Sequence, residues 1–233
     1  MELAGIITGD LVGSREIKAE ARERLYRELK TLFQNLEGKE LIKKYEVYRG
    51  DSFQCIMSGK EFSLRVALMI RAFVKGWETA GSEQEGEEGE AGSGTKGQLP
   101  ERQDVRLAIG IGHLDFFNET SLAHSDGEAF WFSGNGLDGL KKAPYRLFVK
   151  TNREEFNQSL EPAILLLDAV LQKWTTNQAQ TVGYKLAGFK EEEIAQAFKI
   201  TQPAVNQRIK AAQWFAIEKL LTYFEMNLKD WKE

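Results

Sequence analysis

Leu3-Ala4-Gly5-Ile6-Ile7-Thr8-Gly9-Asp10-Leu11-Val12-Gly13-Ser14 is an apolar, strand-like run that reaches an acid flanked by glycines. Residues 3–10 read as a buried strand. A buried strand does not normally end on a bare carboxylate, because an unpaired buried charge is costly. About 40 residues on, Arg49-Gly50-Asp51-Ser52 repeats the feature at the crossing from Tyr45-Glu46-Val47-Tyr48 to Phe53-Gln54-Cys55-Ile56-Met57. Two acids on adjacent strand ends can share a divalent cation, and such metals organise phosphate oxygens. The plainer alternative is that Asp10 caps the next helix and Asp51 supplies a hairpin turn.

Around that strand the pattern alternates. Ile17, Ala21, Leu25, Leu29, Leu32, Phe33 and Leu36 recur at helical spacing, which predicts a helix over 17–36 ending near Gly38. Residues 45–57 predict a hairpin around Gly50-Asp51, 61–77 a second helix, 104–111 a strand, 133–142 a short helix and 145–149 a further strand. The order strand, helix, strand, strand, helix, strand is the ferredoxin-like split βαββαβ arrangement. In that sheet the first strand lies centrally beside the hairpin, so the ends carrying Asp10 and Asp51 meet. Residues 79–101 are rich in glycine and glutamate, with Leu99 the only large aliphatic, and predict a flexible acidic loop. From about 160 the pattern is helical to the end. The expected fold is α+β: a palm-like domain over 1–155, then an all-α domain over 156–233.

The chain has 233 residues, 42% hydrophobic and 28% charged, an ordinary globular composition for one large or two small domains. A net charge of −4 argues against a nucleic-acid coat, though not against a local basic surface. Cys55 is the one cysteine, so it reads as a structural thiol. His113 and His124 have no metal-ligand spacing, which argues against zinc. The start has no signal-peptide pattern and no run approaches the ~20 apolar residues of a membrane span. A cytoplasmic protein with no membrane partner is expected.

Asp10-Leu11-Val12-Gly13-Ser14, Gly50-Asp51, Arg106-Leu107-Ala108-Ile109-Gly110-Ile111-Gly112 and Gly127-Glu128-Ala129-Phe130 through Asn135 together resemble the catalytic palm of class III nucleotide cyclases over roughly residues 3–142. The resemblance implies that Asp10 and Asp51 bind Mg²⁺ or Mn²⁺. It implies that Asn135 falls on the family's nucleotide-site asparagine and that the chain forms a homodimer. The family's transition-state arginine falls on Gly139 and its adenine-reading lysine on Val47, so the pattern departs from the family's ATP cyclisation. Ser14, Arg15 and Arg49 are the candidate nucleotide contacts beside Asn135; Arg15, Arg49, Lys141 and Lys142 are candidate substitute charges. Arg49 is also placed to neutralise the two acids. Phe130-Trp131-Phe132 reads either as core, as a dimer contact or as a base-stacking group.

Near the end, "EEIAQAFKITQPAVNQRIKAA" resembles the helix-turn-helix of sigma-factor region 4. Here 191–213 predicts a short helix with Ile194, Ala195 and Phe198 inward, a turn at Lys199-Ile200-Thr201, and a second helix capped by Thr201. Gln202, Ala204, Asn206, Gln207 and Lys210 face outward on it. Gln and Asn suit adenine edges, while Lys210 and Arg208 suit phosphate or guanine, so DNA is the implied partner. Residues 161–233 hold nine Lys/Arg and nine Asp/Glu, a neutral balance that weakens binding by a monomer. The bland alternative is a helical module that packs on the palm. The two modules together are similar to the SatD-like family of bacterial proteins. Two functions follow as expectations: a DNA-binding regulator whose palm senses a metal-bound nucleotide, or a divergent nucleotide cyclase or nucleotidyltransferase.

Overall fold

The computed structural model describes residues 3–48, 50–78 and 103–231. Arg49 and the acidic 79–101 segment lie outside the described residues. The chain is α+β, a five-stranded mixed sheet followed by several helices. In chain order the elements are β1 (Leu3–Val12), α1 (Ala19–Gly38), β2 (Ile42–Tyr48), β3 (Ser52–Met57), α2 (Ser63–Gly76), β4 (Asp104–His113), α3 (Glu128–Leu140) and β5 (Leu147–Thr151). They continue with α4 (Glu154–Gln172), α5 (Thr176–Leu186), α6 (Glu191–Phe198), α7 (Gln202–Ala211) and α8 (Trp214–Lys229).

The strand order is β2-β3-β1-β4-β5. All neighbours are antiparallel except β4 and β5, which the α3 crossover makes parallel. β1 is central, as its apolar run requires. It continues two residues past Asp10, because Leu11 and Val12 keep partners Val105 and Asp104 on β4. The first helix begins at Ala19 rather than 17, and Ile17 packs into the core from the preceding turn. α3 begins at Glu128, five residues before the expected start at 133, just after Gly127 at φ 142°, and it carries Gly134, Gly136 and Gly139 without a break. Those glycines permit contact rather than break the helix. A Cβ on Gly110 of β4 would lie 2.1 Å from the Ala129 carbonyl oxygen, and one on Gly136 2.4 Å from Phe148. β5 starts at Leu147, not 145, because the Arg146 amide donates to Asp168 instead of to a strand neighbour.

α1, α2 and the apolar sides of α4–α8 share one core with the odd-numbered side chains of β1 and β4, such as Ile7, Leu11, Leu107 and Ile109. α3 covers the other face, packing Ala129, Phe130, Leu137 and Leu140 on Ala4, Ile6 and Ala108. α2 is buried on nearly all sides, since β4 and α5 flank it. Three cations and two acids sit at that junction. Arg71, 0% exposed, donates from Nε and Nη2 to Asp104 at 2.9 and 3.2 Å and from Nη1 to Asp168 at 2.5 Å. Arg146 reaches Asp104 at 2.6 Å and Lys75 lies 3.5 Å from it. Gln172 donates to Asp168 at 2.6 Å, completing its acceptors. Among the described residues no helix is long and apolar enough to cross a membrane.

Candidate functional site

Asp10 stands opposite Ser52 on β3 and Arg106 on β4. The hairpin turn is drawn onto β1 where the Leu11 amide donates to the Asp51 carbonyl at 2.9 Å. The two acids therefore meet at one end of the sheet. Gly50 makes the turn at φ 83°, a left-handed conformation natural to glycine, with the Tyr26 ring packed against it. The buried Ser14 hydroxyl donates to Asp51 Oδ2 at 3.0 Å and also meets the Tyr26 phenol, whose pKa is raised chiefly by burial. Gly13, left-handed at φ 66°, turns the chain so that Ser14 points back to the hairpin.

Asp10 is half-buried. Arg106 Nη1 lies 3.4 and 3.5 Å from its two oxygens. Burial pushes the Asp10 carboxyl above its usual range, opposed by Arg106 and Lys141 and reinforced by the charge on Asp51. Beneath it on the same face, Gln54 donates to Thr8 at 3.0 Å and Thr8 to Ser133 at 2.9 Å, which makes a polar line down β1 toward α3.

The donor set is two carboxylates. Among the described residues no group of three or more His, Cys, Asp or Glu side chains converges. Hard oxygen ligands in this number suit Mg²⁺ or Mn²⁺, which bind through one or two carboxylates and leave other positions to water and phosphate. A guanidinium already resting on Asp10 marks the spot as one that takes positive charge.

The remaining sequence candidates divide. Ser14 joins the acids. Arg15 is exposed in the turn that follows. Arg49 lies outside the described residues. Lys141 is within electrostatic reach of Asp10 while paired with Asp138 at 2.7 Å. Asn135 is exposed on α3 and lines a separate cavity of about 400 Å³ between α3, β5 and α4, beside Trp131, Tyr145 and Leu165. Within the described residues nothing joins it to Asp10 or Asp51. In the sequence Arg106 is one residue of the 104–111 strand; its register opposite Asp10 is what gives it a role.

At the other end of the chain, α6 and α7 are joined through Lys199, left-handed at φ 53°. The Thr201 hydroxyl accepts from the Ala204 amide at 3.4 Å, and Pro203 sits in the first turn where no amide is needed. Ile194, Ala195, Val205 and Ile209 are buried between the helices. Of the six candidate DNA contacts, Gln202, Gln207 and Lys210 are exposed and Ala204 is half-exposed between them. Asn206 faces α6 instead of outward, since its amide donates to Glu191 Oε2 at 3.3 Å. Arg208 lies over the Phe198 ring at 5.7 Å, which holds its guanidinium against the turn.

No protein-family model matches the chain, and no curated protein or solved structure matches it either.

Proposed function

We propose that the protein is a DNA-binding regulator whose sheet binds a nucleoside polyphosphate through a divalent cation held by Asp10 and Asp51. The observation that carries this reading is the α6–α7 pair, two short helices locked by four buried apolar side chains, with Gln202, Gln207 and Lys210 turned outward on the second. The strand order supports a ferredoxin-like, palm-like sheet for the first part of the chain. DNA binding as a homodimer offsets the neutral charge of the helical part by doubling the phosphate contacts. In the second reading the same acids serve a divergent nucleotide cyclase or nucleotidyltransferase; their convergence at one strand end favours it.

Selection from random duplexes, followed by anisotropy titrations at several salt concentrations, tests the regulator. Enrichment of a defined sequence is expected, with affinity falling linearly in log salt. Lys210→Ala lowers that slope by about one. Gln207→Ala relaxes base preference by about 1–3 kcal/mol. No enriched sequence and no salt-dependent binding would leave the helix pair a packing module. Turnover of Mg²⁺–ATP or Mg²⁺–GTP that is lost in Asp10→Ala would move the conclusion to the enzyme.

A further inference from the structure

Two of the arginine–carboxylate pairs that β4 makes differ in kind. At Asp104, Arg71 engages both oxygens through two nitrogens at 2.9 and 3.2 Å, with 0% and 1% of the side chains exposed. At Asp10, Arg106 offers one nitrogen, nearly equidistant at 3.4 and 3.5 Å, with 25% and 16% exposed. Strong charge-assisted hydrogen bonds run to about 2.7–2.9 Å and use the guanidinium fork. The first pair is a locked strut. The second is a loose contact in partial solvent, which costs little to open.

Position adds the second half of the argument. Arg106 sits directly across the sheet from Asp10, whose carboxylate is also within electrostatic reach of Asp51. A divalent ion that takes this carboxylate repels the guanidinium at once. The same ion brings phosphate oxygens with it in a nucleotide complex, and a guanidinium freed from a carboxylate is the side chain best shaped to receive them.

We propose that Arg106 is an exchangeable counter-ion: it holds the Asp10 carboxylate until a divalent cation arrives, then swings to a phosphate oxygen of the nucleotide that the cation carries. The assignment rests on the metal–nucleotide reading of Asp10 and Asp51. It makes metal and nucleotide bind as a coupled pair, because metal alone must displace Arg106 with no new partner for it, whereas the complex supplies one.

The test measures the two halves separately. Mn²⁺ binding is read from the loss of its free electron-paramagnetic-resonance signal. ATP and GTP binding in the presence of Mn²⁺ is read by calorimetry, and melting temperature reports folding. Arg106→Gln is expected to bind Mn²⁺ alone about tenfold tighter and the nucleotide about tenfold weaker, a change of opposite sign. Arg106→Lys retains the competition with metal but recovers nucleotide binding only partly, since it lacks the fork. If Arg106→Gln weakens both ligands together, or neither, Arg106 is a fixed strut and the proposal fails. Wild-type binding that is lost in Asp51→Ala but indifferent to Arg106→Gln overturns the counter-ion alone; no binding by the wild-type chain overturns the site with it.

Discussion

Asp104→Ala is expected to lower the unfolding free energy by about 3–5 kcal/mol, the cost of leaving buried charge without its partner. Asp104 is 1% exposed and answers Arg71, Lys75 and Arg146 at once. Removing it leaves three cations facing Asp168 alone across α2, β4, α4 and the approach to β5. The loss is read as a lower urea midpoint at neutral pH. Acid should reproduce part of it in the unaltered chain. Burial pushes the Asp104 carboxyl up, but the Arg71 guanidinium, the Lys75 ammonium and the Val105 amide outweigh this and hold it below the usual 3.8. A depressed carboxylate contributes its full stability above the unfolded value and loses it as the pH falls through the folded one. Urea midpoints should therefore drop steeply below about pH 3.8, and Asp104→Ala should lack that share of the drop.

Asp10→Ala and Asp51→Ala are each expected to weaken Mg²⁺-dependent nucleotide binding by about a hundredfold or more. That exceeds the roughly 10–100-fold loss that removing an outer-shell partner causes, because here one of two carboxylate ligands goes. Neither change should do much to folding. Asp51 keeps its backbone tie in alanine, since its carbonyl accepts from the Leu11 amide, and it loses the hydrogen bond that its carboxylate accepts from the Ser14 hydroxyl. Asp10 loses only the loose contact to Arg106. Calorimetry with ATP and GTP, with and without Mg²⁺, reads the effect. Binding that survives both substitutions, or that ignores the metal, would remove the acids from the site.

The sheet was legible in the sequence because its signals are local. Apolar runs at 3–10 and 104–111 and the Gly50-Asp51 turn mark strands and hairpin, and their order places β1 at the centre beside both partners. The convergence of Asp10 and Asp51 follows from that order. The helix pair was legible for the same reason, through Thr201, Pro203 and the spacing of Ile194, Val205 and Ile209. What was hidden depends on register and on distant pairing. Arg71 and Lys75 fall inside an amphipathic-looking helix whose surroundings are buried on nearly every side, and the two acids that hold Arg71 come 33 and 97 residues later. Arg106 reads as one strand residue until β4 is laid antiparallel against β1. Asn206 reads as outward from helical spacing, and only the placement of Glu191 turns its amide inward. In α3 the run Ser133-Gly134-Asn135-Gly136 reads as weak helix by propensity. Close approach to Gly110 and Phe148 supplies packing that propensity does not contain.

The central place of β1 also dictates the order in which the chain assembles. It is synthesised before both strands it pairs with: β3, where Asp10 meets Ser52, and β4, where Leu3 meets His113. Pairings this distant in sequence make folding slow. Until residue 113 has been synthesised, an apolar strand stands with at least one open edge, the state most prone to wrong partners. Refolding yield should accordingly fall with protein concentration far more steeply than the stability of the finished molecule suggests.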